Sequence, residues 1–531
     1  MLPFNFQQMK KLLLLLVCTF YISQSYAQTW SDDVAEIFYE KCTKCHHSGG
    51  VAPFELMSYN QSSAMASAIY DAVALDKMPP WPPNNNYQSY AHDKSLSSTQ
   101  KTTVLNWLTN GTPEGNPANA PAPPVYNSGS LLGNGDLTIQ IPVYSSKATA
   151  QQDDYVCFAM PSGLPTNRKI KSIEIVPGNR SIVHHCLIYV DPSNTATTDT
   201  IGGDCGSPNS SQATLLLGYT PGSSPMTLPS TGPLKLGMDM PANSTVVFAM
   251  HYPAGSFGQA DSTKAIFHFY PPGETGIRNV NAAPVLQNWS FSLPPNQQTN
   301  VSAQYPASGG IPSDVSILSV FPHMHLLGKT MTVYGLDVAN DTIPFINIPH
   351  WDFHWQDFYF FRYIQKASAG TTLKVDALYD NTAGNIHNPN SPPITVNPGL
   401  NTSDEMCLVY AHFMAYQNGD ELYDLEELMN DETNSIIEQV QENRSIKTYP
   451  NPFDESITIE IDDLAQGDNL SIIIYDYTGA RVKSLITTSH YSGAPLNWDG
   501  TNDNSVKVKD GMYFLSIIHG ENNYNQAIIK H

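Results

Sequence analysis

The chain has 531 residues, with 26 Lys and Arg against 48 Asp and Glu, for a formal charge of −22. That length implies several domains, and the acidic balance argues against nucleic acid, whose binding needs cations to displace counterions. It argues equally against docking on an anionic membrane. In chain order, Lys10-Lys11, the apolar run Leu12 to Tyr21 and the small-residue site Ser25-Tyr26-Ala27 read as a secretory signal peptide over residues 1–27. A lipid anchor at Cys18 is the alternative, although Val17 is large for the position before a lipidated Cys. No other apolar run approaches membrane-spanning length, so no transmembrane segment is expected in the mature chain. Cleavage leaves Cys42, Cys45, Cys157, Cys186, Cys205 and Cys407 in an oxidising compartment, where disulfides are allowed.

Cys42-Thr43-Lys44-Cys45-His46 is the attachment pattern for c-type haem. Two thiols one short turn apart add to the porphyrin vinyls, and the adjacent His reaches the iron. The competing readings are a disulfide or a zinc site, and zinc lacks a second Cys pair nearby. For the second axial ligand, Met78 in Lys77-Met78-Pro79-Pro80-Trp81 is favoured, because prolines hold an extended loop. Met57 and Met65 compete from segments that look helical or core-like, and His47 reads as a surface residue. The spacing predicts a helix over 99–108, stopped near Asn110-Gly111. Residues 28–117, with Gly111-Thr112-Pro113-Glu114-Gly115, resemble a small all-α cytochrome c.

A Pro/Ala linker over 118–128 follows. Short β-prone runs then occupy Leu137 to Val143, Ser181 to Val190, Ser244 to Tyr252, Ala265 to Tyr270, Val315 to Phe321 and Thr371 to Tyr379, separated by Pro, Gly, Asn and Ser. That spacing predicts antiparallel β-sandwiches. Side chains two apart on a strand share a face, so His323 and His325 are expected to bind one ion. His184 and His185 are adjacent and point opposite ways on a regular strand; both reach one ion only if the backbone twists or different ring nitrogens are used. His251 in Met250-His251-Tyr252-Pro253 reads equally as a ligand or a satisfied core histidine. Met406 in Asp404-Glu405-Met406-Cys407 adds a thioether, a soft donor that favours copper over zinc or non-haem iron.

Taken in order, Tyr155-Val156-Cys157, His184-His185, His251-Tyr252-Pro253, His323-Met324-His325-Leu326-Leu327-Gly328-Lys329 and Asp404-Glu405-Met406-Cys407 resemble the copper type II, ascorbate-dependent monooxygenases, the peptidylglycine α-hydroxylating and dopamine β-monooxygenase family. The resemblance implies two jelly-roll-like β-sandwich copper domains, 129–285 and 286–420, facing each other across a cleft. It implies that His184, His185 and His251 hold one copper, which stores and delivers an electron. His323, His325 and Met406 then hold the other, where O2 is used for hydrogen abstraction. It further implies a Cys157–Cys205 disulfide, with Cys407 lacking its usual partner and left free and buried, as is Cys186. Peptide-amidating relatives carry an Arg two residues before His-x-His, and here that position is Phe321. Tyr410, four residues after Met406, stands at a family substrate-contact position. His350, His354, His387 and His412 are left as structural.

An acidic linker is expected over 421–446. Residues 447–531 open with Lys447-Thr448-Tyr449-Pro450-Asn451-Pro452-Phe453 and resemble the Ig-like β-sandwich sorting domain of type IX secretion. The alternative is an accessory module binding calcium through Asp499 and Asp503. The expected whole is a secreted or surface-displayed, mainly β, multidomain monooxygenase with two copper ions and one covalent haem c. It would hydroxylate a C–H bond of a small or peptide-like substrate with O2. Its electrons would come from ascorbate or another donor, relayed through the haem. The rival class is a non-enzymatic surface copper-binding or electron-transfer protein.

Overall fold

The computed structural model describes residues 28–48, 50, 52–124, 126, 130–150, 152–221, 223–399, 403–430, 446–461, 470–476, 481–488, 495–519 and 522–531. The expected signal peptide lies outside them, as do residues 125, 127–128 and 431–445 of the two expected linkers. The chain is mainly β, about 39% strand and 11% helix. Among the described residues no helix is long and apolar enough to cross a membrane. The chain divides into two compact units, Met1–Trp81 with Lys94–Val125, and Pro82–Asp93 with Tyr126–His531.

The first unit is helical. The helices are Ala35–Lys41, Tyr59–Ala64, Ala66–Ala74 and Ser98–Thr109. The last starts with a capping box, in which the Ser97 hydroxyl accepts from the Gln100 N–H and the Gln100 side chain accepts from the Ser97 N–H. That reciprocal pair satisfies two donors that a helix start leaves unpaired. Trp30, Phe38 and Trp107 pack edge to face at the centre with Val34, Leu56 and Val104. Trp107 Nε1 donates to the Pro113 carbonyl and Tyr59 Oη to that of Thr112, which anchors the Gly111–Gly115 turn.

In the second unit, the four-stranded sheet that carries the first histidines runs Asp154–Pro161, Thr245–Tyr252, His185–Asp191, Thr214–Tyr219, all antiparallel. Behind it a six-stranded sheet includes Leu137–Gln140, Lys264–Phe269, Arg168–Val176 and Leu236–Met240. The strand expected from Ser181 begins only at His185. Asn179 explains the delay: its side chain accepts from the Ser181 N–H and its carbonyl from those of Ile182 and Val183, folding 179–183 into a turn.

Two further antiparallel sheets follow. One orders Asn281–Asn288, Cys407–Ala415, Val315–His323, Tyr359–Ala367; the other orders Gln298–Tyr305, Thr372–Asp380, Gly328–Leu336, Thr342–Ile348. The two β regions share one apolar cluster, in which Leu216, Leu217, Phe248, Leu318, Phe321 and Phe360 are all buried. His412 Nε2 donates across it to the Leu216 carbonyl.

Two expected boundaries differ. Residues 82–93, read as part of one continuous block over 28–117, instead belong to the β unit. Their backbone pairs with the edge strand Tyr359–Ala367, Ala91 N–H donating to Phe360 and Arg362 N–H to Ser89. Asn84 N–H, Gln88 Nε2 and Tyr90 Oη reach the Asn347, Pro344 and Phe345 carbonyls on the other edge strand. Likewise residues 425–430, inside the expected acidic linker, form a helical turn whose Leu425 and Met429 are buried in the apolar cluster, with Asp424 paired to Arg362. An i, i+4 apolar pair in an acidic segment finds a core here, so the segment packs.

The tail forms two antiparallel sheets, Ile446–Tyr449, Ile457–Ile461, Leu496–Trp498 and Arg481–Thr488, Leu470–Asp476, Gly511–His519, Asn522–Lys530, around a core of Phe453, Ile457, Trp498, Ile472 and Leu515. Asp499 is paired with Lys483 and Asp503 with Arg481, so both carboxylates named for calcium are already neutralised.

Candidate metal centres

His184, His185 and His251 come together because His184 lies just before its strand, free of the regular alternation. Its N–H donates to the His251 carbonyl, and His185 is the register partner of His251. One ligand atom from each of the three lies within 4.8 Å of the others. His251 Nε2 is 2.9 Å from Asp153 Oδ2, so this nitrogen carries the proton given to the carboxylate and Nδ1 keeps its lone pair. That Nδ1 is 3.1 Å from His185 Nδ1. The Tyr155 ring stacks on His251 at 4.2 Å. Burial holds His184 down to about 3, helped by the neighbouring imidazoles of His251 and His354. Burial likewise keeps His185 and His251 low. His184 Nδ1 is buried without a hydrogen-bond partner. Three neutral imidazoles, one with an unpartnered buried nitrogen, are a donor set that fits a copper ion.

The second set sits where the Val315–His323 strand ends. His325 lies beyond that strand, so the expected strand pair is half strand and half turn, with ring centroids 5.1 Å apart. Gln356 Nε2 donates to the Phe353 carbonyl, which fixes its amide so that Oε1 accepts from His323 Nδ1. His325 Nδ1 donates to the Asp404 carbonyl. These bonds put the proton of each ring on Nδ1 and make Nε2 the lone-pair nitrogen. The fully buried Glu405 carboxylate accepts from the backbone N–H groups of His325, Leu327 and Met406, at 2.9, 2.6 and 3.1 Å. One side chain thus ties the His325 turn to Met406. Burial raises Glu405 to about 8, against the pull of those hydrogen bonds. Two imidazoles and a thioether fit copper better than zinc. His185, His323, His325, Met406 and Tyr410 line one cavity of about 120 Å³.

In the helical unit, Cys42 caps the Ala35–Lys41 helix, and the N–H groups of Cys45 and His46 both donate to its carbonyl. The two thiols are free rather than paired in a disulfide. Burial pushes Cys42 up to about 12. His46 Nδ1 donates to the Phe54 carbonyl at 2.9 Å, leaving Nε2 for an axial bond. These features fit covalent haem. Met78 follows the last turn of Ala66–Ala74, its N–H donating to the Ala72 carbonyl, and is 38% exposed.

Asp153, Gln356 and Glu405 escaped the sequence reading. Asp153 precedes the Tyr155-Val156-Cys157 motif, and Glu405 lay inside a quoted motif without a role. Phe353 and His354 were also missed as neighbours. The Phe353 ring lies 5.9 Å from His325 and 6.5 Å from His185 and from His251. His354, left as structural, is 5.2 Å from His184 and hydrogen-bonds Asp352. His412 is a satisfied core histidine between Ser319 and Leu216, while His350 and His387 are exposed. The Cys157–Cys205 disulfide is present, and Cys186 and Cys407 are free and buried.

Residues 286–434 match the copper type II ascorbate-dependent monooxygenase C-terminal domain. Residues 447–531 match the secretion system C-terminal sorting domain, which supports export to the surface or the medium and an interaction with the secretion machinery. No curated protein matches the chain. Similar solved structures include PorZ, a surface component of the type-IX secretion system of Porphyromonas gingivalis, 20% identical over 16% of this chain and 11% of that one, TM-score 0.14. Another is latent PorU from Porphyromonas gingivalis, 12% identical over 71% of this chain and 34% of that one, TM-score 0.14. The chain thus spans about a third or less of those two proteins.

Proposed function

We propose that this chain is an exported copper monooxygenase that hydroxylates a C–H bond with O2. The carrying observation is that His185 shares one cavity with both imidazoles and the thioether of the second set, while ligand atoms of His184 and His251 stand within 4.8 Å of its own. His184, His185 and His251 would hold one copper, and His323, His325 and Met406 the other. Bound copper supplies one-electron redox chemistry and O2 activation there. The chain's own residues do the positioning. Asp153 keeps the proton of His251 on Nε2, and Gln356 and the Asp404 carbonyl keep those of His323 and His325 on Nδ1. Glu405 fixes the approach of Met406, and Tyr410 lines the space where substrate sits. The overall change inserts one oxygen atom into C–H and sends the other to water, consuming two electrons and two protons.

Cys42 and Cys45 would hold the haem, with His46 and Met78 as axial ligands, and the haem would relay electrons from ascorbate or another donor. Met ligation raises a haem potential, which suits a one-electron carrier. Single-turnover reaction of the reduced, copper-loaded chain with ¹⁸O2 and candidate substrates, followed by mass spectrometry, tests the reading. One labelled oxygen in product is expected. O2 uptake that no substrate accelerates, with no labelled product, would leave a copper-binding or electron-transfer protein instead.

A further inference from the structure

The cavity that holds the second histidine set has a wall with its own chemistry. Leu187, Leu215, Phe321 and Leu408 make it apolar, and Trp289 stands at it 44% exposed. Among the described residues no Lys or Arg lines it, and the one carboxylate there, Asp204, belongs to an exposed residue. Apart from a metal ion held by the histidines, an anionic ligand entering here would lose hydration without gaining a cation. Phe321 is 2% exposed and packs at 5.0 Å on Phe358, so the wall is fixed by the core behind it.

Three phenols interrupt this wall, and one of them, Tyr155, already donates to Asp153 Oδ2. The other two, Tyr189 from His185–Asp191 and Tyr410 from Cys407–Ala415, line the same cavity. Neither hydroxyl has a hydrogen-bond partner among the described residues, although Tyr189 is only 5% exposed. Neither oxygen is sealed in the core, so the two hydroxyls, open to the cavity, are ready donors for a ligand oxygen. The volume of about 120 Å³ sets the size. An apolar cavity of roughly 150 Å³ takes one benzene ring, so a ligand of no more than about one ring is the size to expect.

We infer that the substrate is a small neutral molecule of about one ring bearing an uncharged oxygen, and that Tyr189, with Tyr410, binds that oxygen and sets specificity. This rests on the proposed monooxygenase reading for the word substrate, but the binding itself does not. Calorimetric titration of the full chain under argon, where no turnover occurs, separates the two. Benzyl alcohol, toluene and benzoate share a ring and differ in oxygen and charge. Benzyl alcohol should bind at least tenfold more tightly than benzoate. Tyr189→Phe should weaken benzyl alcohol about fivefold to tenfold and leave toluene unchanged, the size expected for one hydrogen bond. Phe321→Arg should reverse the preference towards benzoate. Benzoate binding as tightly as benzyl alcohol in the unaltered chain would overturn the inference. So would no detectable binding of benzyl alcohol, or a Tyr189→Phe effect equal on benzyl alcohol and toluene. Binding as expected with no hydroxylation of any ligand would remove the proposed reaction and leave the binding site standing.

Discussion

At the scale of single residues, the chemistry of each candidate ligand is set by the group behind it. Asp153 fixes one tautomer of His251, and burial alone would raise that carboxyl; the hydrogen bonds from His251 and the Ala254 N–H outweigh burial and hold it below its usual range. Asp153→Asn keeps the shape but loses the charged acceptor. We expect copper affinity at the three-His set to fall about 10- to 100-fold, read by chelator competition; unchanged affinity would remove Asp153 from the site. Met406 contributes the one soft donor of the second set. Met406→Ala should weaken Cu(I) there and spare the first set. Metal analysis and Cu(I) competition check this, and equal loss at both sets would contradict it. The ligand residue types were legible in the sequence, because His-His, His-x-His and Met stand in recognisable strings. Their supports were not. Asp153 lies 98 positions from His251, and Gln356 lies 33 from His323. No local pattern encodes a hydrogen bond at that separation.

At the scale of elements, the segment 82–93 bonds to both edge strands of the later β region. Edge strands leave unpaired N–H and C=O groups that invite association, and this segment covers part of both. Tyr90 is its anchor, 4% exposed, with its ring 6.1 Å from those of Tyr359 and Phe361. Tyr90→Ala should cost about 3 kcal/mol and increase aggregation, measured by denaturant unfolding and light scattering; a loss under about 0.5 kcal/mol would show that the segment is ornamental. The strand His185–Asp191 is closed by Asp191, which accepts from the N–H groups of Ser193, Thr195 and Ala196. These bonds outweigh burial and hold its carboxyl down to about 2. A depressed acid stabilises the fold above its unfolded value of about 3.9 and loses that contribution as pH falls towards 2. Asp191→Asn should therefore destabilise at pH 7 by about 2 kcal/mol, and the gap from the unaltered protein should close between about pH 4 and 2. A gap constant with pH would refute the assignment. The late start of this strand was hidden because Ser181 to Val190 is β-prone throughout, and only the Asn179 turn decides where pairing begins.

At the scale of the whole molecule, the tail is a separate question from the chemistry. Its core is built from its own strands, and its family match begins at residue 447. Removing 447–531 should abolish surface display in the producing cell while the purified protein keeps the proposed copper and haem binding. Fractionation and metal and haem analysis check this, and loss of a cofactor on truncation would make the tail part of the metal-bearing fold. The sequence by itself determined the mainly β composition, the later copper-family region, the sorting tail and the list of candidate ligands. Each of these is written in short strings whose chemistry survives without coordinates. Tertiary structure alone decided that residues 82–93 and 425–430 pack with the β unit. It also decided that His184 escapes strand alternation to join His185 and His251, and that Tyr189 shares a cavity with Tyr410. The physical reason is common to all three: burial and long-range hydrogen bonding depend on which distant surfaces meet, and local propensity carries no information about that.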